Sequence, residues 1–307
     1  MLGNRLLKTF EAFRRQIKAL SKNPLVNKLL FLVSIVYTLL LLFLSRSEIK
    51  LINWGVFWGL FTISFLLYFI SLFLQCINWS LAVDGSLSNF TLNSEVFYRS
   101  ILLQRIPGGF WHWLGRTNFY QEYDFVYGKS SIRPIRLANF YEWLLFVLTG
   151  LSIYLWTKNF IAGIVFSTVC LMTILFMFQR IRQGVHISLA IPSMTILLML
   201  VRWGLGFYTL FLLLNNLIYP ATVTPEFVLS TWTLSSTIAM ATFFLPSPGI
   251  VRDFTLTALL APTIPISKVI LLAAELRIIF LISDLLSSGI SLAILRIWKR
   301  KTTKASL

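Results

Sequence analysis

The chain has 307 residues, of which 57% are hydrophobic and 12% are charged, and its formal net charge is +16 at pH 7. A soluble globular domain carries about a quarter charged residues, so this composition excludes an ordinary soluble domain and favours an all-α polytopic membrane protein. In a soluble chain such a charge indicates nucleic-acid binding. Here the basic residues crowd into the termini and short loops, where they orient membrane helices, so we predict no nucleic-acid partner.

The residue types needed for metal or ATP chemistry are scarce. Cys76 and Cys170 both lie in apolar runs, the only histidines are His112 and His186, and the sequence contains no CxxC, HExxH or GxxxxGK[ST] motif. We therefore predict no metal site, no cofactor and no catalytic residue, and we expect a protein that is not an enzyme.

The chain begins with a basic segment, residues 1–28, which has seven lysines and arginines and one acid. This pattern predicts an amphipathic lead-in on the cytoplasmic side. The first span is predicted at 29–44, with a turn at 45–50. Leu51 to Val83 carries no charge and exceeds the roughly 20 residues that a span needs, which indicates a tilted helix.

Residues 84–136 are too polar for a plain span, although 96–114 are too apolar for an ordinary loop. Helix breakers interrupt the apolar part, in the stretch QRIPGGFWHWLGR, and an interfacial tryptophan and an arginine follow them. Broken backbone in a bilayer needs protein or a water-filled cavity around it. We predict a re-entrant helix pair that turns at Pro107, Gly108 and Gly109, with Trp111 at the level of the headgroups.

Four further spans are predicted at about 137–156, 160–179, 191–214 and 227–244. The first two form a hairpin, and an external loop at 215–226 separates the last two. A second break, at 246–249, precedes a half-helix at 254–260 and a turn at 261–265. The last apolar stretch, 266–295, is either two short spans or one long tilted helix.

A basic tail at 296–307 argues for a cytoplasmic C-terminus and hence an even number of crossings. We predict about eight spans, with two re-entrant or broken helices and a transmembrane domain at 29–295. Each break follows an even-numbered span, which indicates two similar halves of four spans.

Charged residues within apolar segments are the candidate functional residues. Each costs about 2.5–3.5 kcal/mol at the bilayer centre on insertion scales, so an unneeded one is rarely kept. Arg277 and Asp284 are seven residues apart and share a helix face, whereas Glu275 points away from Arg277. The predicted substrate-binding residues, besides the first break and Trp111, are Arg116, Glu142, Arg202, Asp253, Arg277 and Asp284.

These charges either bind a charged headgroup or pair with one another and lock the helices together. In the first interpretation the arginines contact the headgroup, because planar guanidinium forks suit phosphate, while the carboxylates orient them. The half-helix N-termini after Gly109 and Gly249 add backbone donors.

Three stretches resemble the flippase-like transmembrane region of bacterial lysylphosphatidylglycerol synthases: IPGGFWHWLGR with the later Glu142, LPSPGIVRDFTLTALL, and LLAAELRIIFLISDLL. The resemblance covers about Leu29 to Leu295. That family commonly has a glutamate and more glycine where this chain has Asp253 and its Pro-Ser-Pro break. The synthases also carry a soluble aminoacyltransferase domain, for which this chain has no counterpart. The resemblance implies movement of a lipid between leaflets, without lysyl transfer.

We therefore expect a multi-pass protein of a prokaryotic plasma (inner) membrane, with both termini cytoplasmic, that moves an amphipathic lipid with an anionic or phosphate-linked headgroup. Membrane lipids are its predicted partners, and a lipid-modifying enzyme or a second copy of the chain is left open as a further partner. One alternative is a membrane enzyme that transfers glycosyl or phosphoryl groups, for which Glu122 and Asp124 are the only candidates. The other is a non-catalytic scaffold of the cell envelope.

Overall fold

A computed structural model describes residues 24–50, 54–84, 86–101, 111–122, 132–182, 190–217, 223–242 and 248–305. The described residues form helices and no strand, which confirms the all-α prediction. Among them, three helices are long and apolar enough to cross a membrane, so the chain is a helical membrane protein. The helices are α1 Pro24–Leu44, α2 Arg46–Ile49, α3 Trp54–Asp84, α4 Phe90–Ile101, α5 Trp111–Glu122, α6 Ile132–Lys158, α7 Phe160–Arg182, α8 Ala190–Leu217, α9 Pro225–Ala241, α10 Pro248–Leu260 and α11 Ile266–Ala305.

The charge-free run is a single helix, as predicted. Helix α3 has 31 residues and is about 46 Å long, which exceeds the roughly 30 Å hydrocarbon core of a bilayer. The predicted turn at 45–50 contains the short helix α2, and of the lead-in only residues 24–28 are described, as the start of α1. The α6–α7 hairpin turns at Asn159.

Each predicted break lies between two short helices. Helices α4 and α5 have 12 residues each and flank 102–110, so Pro107, Gly108 and Gly109 lie outside the described residues. Helices α9 and α10, of 17 and 13 residues, flank 243–247, which are also outside them. The re-entrant path of either pair and the count of eight spans stay predictions.

The second half-helix begins earlier than predicted, at Pro248 instead of Phe254. Pro248 and Gly249, assigned from sequence to the break, are the first two residues of α10. The physical reason is that proline suits the first turn of a helix, where its missing N–H costs nothing and its fixed φ is already helical. Pro225 begins α9 in the same way, behind a Thr224 cap whose hydroxyl accepts from the Phe227 N–H at 3.3 Å.

Of the two alternatives for the last apolar stretch, the structure has the single long helix. Helix α11 has 40 residues, is about 60 Å long, and continues through 296–305, the greater part of the predicted basic tail. Near its beginning the Ser267 hydroxyl donates to Glu48 Oε1 at 2.8 Å, so the start of α11 lies beside α2.

The order of helices repeats. Helices α1, α3, α4, α5 and α6 run long, long, short, short, long, and α7 to α11 repeat that order. Their contacts repeat too: α4–α5, α5–α6 and α3–α4 correspond to α9–α10, α10–α11 and α8–α9, and the crossed contact α4–α11 corresponds to α9–α6. The boundary between the halves lies at Asn159, not after the fourth predicted span, because each half consists of three long helices and one short pair.

The apolar core has two main clusters, one for each half. The first packs α3 to α6 around Trp79 and Phe97, and the second packs α6 and α8 to α11 around Trp203 and Leu272. Large apolar side chains also cover outward faces, for example Leu66, Ile70 and Phe73 of α3. Such an exterior suits lipid, and it leaves the charged side chains described next in the interior.

Candidate functional site

Arg116 is the most deeply buried arginine in the described part of the chain, at 1% exposure, and it lies on α5. Its Nη1 donates to Glu142 Oε2 on α6 at 2.6 Å, and Gln75 Nε2 on α3 donates to the other carboxylate oxygen at 2.7 Å. Both Glu142 oxygens are therefore hydrogen-bonded, and the ion pair joins three helices.

The rest of the Arg116 guanidinium is also occupied. Its Nε donates to Ser100 Oγ at 3.2 Å, and Nη1 also reaches Asn139 Oδ1 at 3.3 Å. Its central carbon lies 4.1 Å from the ring centroid of Trp79, which is within cation–π range. We call these residues, with Glu142 and Gln75, the Arg116 cluster.

A chain of hydrogen bonds fixes the helices that carry this cluster. The Trp79 indole donates to the Tyr120 hydroxyl at 3.1 Å, which donates to Asn93 Oδ1 at 2.6 Å. The Asn93 amide then donates to Asp84 Oδ2 at 2.6 Å. Because these residues belong to α3, α4 and α5, the chain holds the short pair against the long helix and positions Arg116.

Arg202 and Asp284 extend the Arg116 cluster electrostatically. The Arg202 guanidinium on α8 lies 5.1 Å from the Phe146 ring centroid, and the charges of Glu142, Arg116 and Asp284 all act on it. Asp284 on α11 is 1% exposed. Charges from α5, α6, α8 and α11 are thus coupled inside the bundle.

A second cluster surrounds Asp253 on α10, which is 1% exposed and binds two arginines. Its Oδ1 accepts from Arg252 Nη2 at 3.0 Å, and its Oδ2 accepts from Arg277 Nε on α11. The Arg277 guanidinium also lies 4.4 Å from the Tyr37 ring centroid on α1. We call these four residues the Asp253 cluster.

The Asp253 cluster has an unused donor, whereas the unused atom of the Arg116 cluster among the described residues is an acceptor, Gln75 Oε1. Arg277 Nη2 is buried without a hydrogen-bond partner, and it lies 3.5 Å from where a β-carbon on Gly249 would be. Both oxygens of Glu275, which is 3% exposed, also lack a partner among the described residues. Buried hydroxyls without a partner lie on the same helix, at Ser283, Ser287 and Ser288.

The structure places four of the six predicted charges in these clusters and the other two, Arg202 and Asp284, within electrostatic range of the Arg116 cluster. Arg116 with Glu142 and Arg277 with Asp253 are ion pairs between neighbouring helices, while Arg202 and Asp284 are linked electrostatically. Trp111 is the first residue of α5, and its side chain, like the Pro107–Gly109 turn, lies outside what the structure describes. Whether any of these residues binds substrate stays a prediction.

Sequence reasoning missed several partners of these charges. Gln75 and Asn139 are polar residues in apolar helical surroundings. Gln75 is one of three side-chain amides in the charge-free run, with Asn53 and Asn78, and the cost of burying an amide could have marked it as a candidate. Arg252 adjoins Asp253 and was left unassigned. Tyr37 carries no signal in sequence, because one tyrosine in an apolar run is common.

The described residues contain no group of three histidines, cysteines or acids placed to hold a metal ion. Glu122 is the last residue of α5, and Asp124 lies outside the described residues. The enzymatic alternative therefore stays a prediction from sequence. No protein-family model, curated protein or solved structure matches this chain.

Proposed function

We propose that this chain moves an amphipathic lipid with an anionic or phosphate-linked headgroup between the leaflets of a prokaryotic plasma membrane. The observation that carries the proposal is the set of buried, mutually coupled charges inside a bundle whose outer faces are apolar. Charge at membrane depth is expensive to insert, and it usually marks the path of a polar substrate.

The positions of the two clusters along their helices support a path instead of a single pocket. Measured from Ile266 at the start of α11, Arg277 and Asp284 lie about 17 Å and about 27 Å along the axis. Arg202 on α8 lies within electrostatic range of Glu142 on α6 and of Asp284 on α11, so charged groups extend across these three helices. A headgroup passes between them while its acyl chains stay in the bilayer.

In this mechanism the arginines contact the headgroup, and the carboxylates hold the arginines between passages. Arg277 and Arg202 are the principal contacts, with Asp253 and Asp284 as their respective counter-charges. Such pairing lowers the cost of the empty path, because a lone buried guanidinium is far more expensive than a paired one.

A leaflet-exchange assay in proteoliposomes tests the proposal. Fluorescent phosphatidylglycerol, an aminoacylated lipid and a polyprenyl-phosphate sugar are compared, and we expect the wild-type chain to speed the exchange of at least one of them. Arg277→Ala should abolish that acceleration, because it removes the guanidinium with the unused donor.

The matched control is Arg99→Ala, since Arg99 is 35% exposed at its side chain and pairs with Glu95 one turn away on α4. Exchange should survive this change. If folded Arg277→Ala protein exchanges lipid like the wild type, or if none of the three lipids is accelerated, the proposed transport function is contradicted.

The hydrogen bonding of the Arg116 cluster favours a second candidate function, a non-catalytic scaffold that recruits a lipid-modifying enzyme. The hydrogen bonds named there join α3, α4, α5 and α6 to one another. A scaffold predicts that Arg277→Ala folds and still retains its enzyme partner, with no lipid exchange by the wild-type chain. The same assay therefore separates the two functions.

A further inference from the structure

The first turn of α10 lies against a guanidinium nitrogen that has no partner. Arg277 is on the neighbouring helix α11, and its Nη2 reaches to 3.5 Å from the β-carbon position of Gly249, the second residue of α10. The Arg277 side chain is 90% buried, since its exposed fraction is 10%, and Nη2 makes no hydrogen bond with the described residues.

This arrangement is electrostatically one-sided. The start of a helix carries a partial positive charge. A guanidinium beside it adds a full positive charge. An unpaired charged donor at that place is costly unless an anion binds to it. Burial removes the water that hydrates the donor, and without an acceptor no hydrogen bond compensates for that desolvation.

The ion pair with Asp253 leaves one nitrogen of Arg277 for an anion. In the described part of the chain, Asp253 accepts from Arg277 Nε, and Nη2 has no acceptor there. Asp253 also accepts from Arg252, but it forms no hydrogen bond with Arg277 Nη2. Glu275, two residues from Arg277, projects about 200° away around α11, so it is turned away from α10.

Gly249 has no side chain, and this leaves space beside Arg277 Nη2. A glycine leaves Nη2 uncovered at the helix end, whereas an alanine methyl would lie 3.5 Å from it, an ordinary contact distance. The substitution would therefore fit without a clash and would occupy the place where an anion's oxygen sits.

We propose that the first turn of α10 and Arg277 Nη2 form a binding site for a phosphate group, with Gly249 keeping the site open. A phosphate presents oxygens in the directions that a guanidinium fork and helical N–H groups require. The choice of a lipid phosphate as the ligand rests on the proposed function. A free phosphate ion has the same chemistry and is distinguished below.

The site is tested by equilibrium binding of tritiated dioctanoyl phosphatidate to the full chain in a neutral detergent. We expect saturable binding, with Gly249→Ala raising the Kd about tenfold, the size expected for loss of one charge-assisted hydrogen bond. Gly289→Ala on α11 is the matched control, because nothing lies within 4 Å of its β-carbon position. Its Kd should equal that of the wild type.

Competition separates the ligands. Displacement by unlabelled phosphatidate but not by dioctanoylglycerol supports a phosphate site on a lipid. Displacement by inorganic phosphate as well, with the same dependence on Gly249, supports a site that accepts phosphate alone. The proposal is overturned if dioctanoylglycerol competes as well as phosphatidate, or if Gly249→Ala leaves the Kd unchanged.

This experiment and the leaflet-exchange assay fail independently. Phosphatidate binding that depends on Gly249, without accelerated exchange of any lipid, would leave the site standing and contradict transport. Exchange that is lost in Arg277→Ala, with a Kd insensitive to Gly249→Ala, would leave transport standing and contradict the site.

Discussion

At the residue scale, the two buried clusters differ in how many of the arginine nitrogens have a hydrogen-bond acceptor. Arg116 shares its guanidinium among Glu142, Asn139 and Ser100, and it is covered by Trp79. Arg277 gives one nitrogen to Asp253 and leaves Nη2 without a partner. The first arrangement stabilises helix packing, whereas the second retains capacity for a ligand.

This difference predicts that Arg116→Met destabilises the chain strongly. The variant leaves the Glu142 carboxylate buried with only Gln75 as a donor, and breaking a buried ion pair in this way costs about 3–5 kcal/mol. The double variant Arg116→Met with Glu142→Gln removes the charge and should recover most of the loss. The free energy of unfolding in detergent measures both.

Arg99→Met is the control for that experiment, because it breaks an ion pair within one helix, with Glu95 one turn away, and the Arg99 side chain is 35% exposed. We expect a smaller loss of stability than for Arg116→Met, since the Arg99 guanidinium is far less buried than that of Arg116. An Arg116→Met protein as stable as Arg99→Met would show that the buried pair is not what holds α3, α5 and α6 together.

The charges at this scale were predictable from sequence, but many of their partners were not. Arg116, Glu142 and Asp253 stand out because each is an expensive interruption of apolar sequence. Tyr37 and Asn139 are ordinary residues whose role depends on which helices become neighbours. Only the folded packing places Tyr37 of α1 on Arg277 of α11.

At the element scale, proline and glycine in the sequence predict that the helices are interrupted at two places, but they do not predict the residue at which the next helix begins. Pro248 is compatible with a break and with a helix start, and the structure uses it as the start of α10. The sequence also did not decide whether 266–295 forms one helix or two. Gly289 lowers helix propensity, but a single glycine does not end a helix. Nothing lies within 4 Å of its β-carbon position, so the helix continues through it.

Close packing of α6 against α8 and α9 depends on Gly150. A β-carbon there would overlap the Thr237 hydroxyl and would lie 2.5 Å from the Trp203 ring. We predict that Gly150→Ala lowers the free energy of unfolding by about 1–3 kcal/mol, the usual cost of overpacking. Thermal unfolding in detergent measures it.

The control is Gly204→Ala on α8, where nothing lies within 4 Å of the added carbon. That variant should be as stable as the wild type or more stable, because alanine favours helix over glycine. Equal stability of the Gly150 and Gly204 variants would contradict the close approach of α6 to α8 and α9.

At the scale of the whole molecule, the two halves are arranged alike but with their charges exchanged. In the first half an arginine on the short helix α5 pairs with a glutamate on α6, and in the second an aspartate on α10 pairs with an arginine on α11. The sequence similarity between the halves is weak, and the exchanged charges of these two pairs give no sign of the repeat in sequence. The repeat becomes visible only in helix order and contacts.

We infer a topology for this repeat from the assumption that each of the six long helices crosses the membrane and that both short pairs are re-entrant, which is two crossings fewer than the eight predicted from sequence. If α1 leaves the cytoplasm, then α3 returns and α6 leaves again, so the short pair α4–α5 enters from the cytoplasmic side. Helix α7 then returns to the cytoplasm and α8 leaves it again, so the pair α9–α10 enters the membrane from outside. The hydrogen bond from Ser267 to Glu48 agrees with this, because it brings the start of α11 to the same side as α2. Inverted repeats of this kind surround substrate sites in many transporters.

Single-cysteine labelling tests this topology. Ser47, Asn159 and Thr263 are exposed at predicted external turns, and Ser86 is exposed at a predicted cytoplasmic one. Cysteine at each of the first three should react with a membrane-impermeant maleimide in intact cells, whereas Ser86→Cys should react only after permeabilisation. The native Cys76 and Cys170 are buried, so the wild-type chain supplies an unlabelled background. Labelling of Ser86→Cys in intact cells, or protection of Thr263→Cys while Ser47→Cys reacts, would contradict the inverted arrangement, because α2 and the start of α11 would then lie on opposite sides.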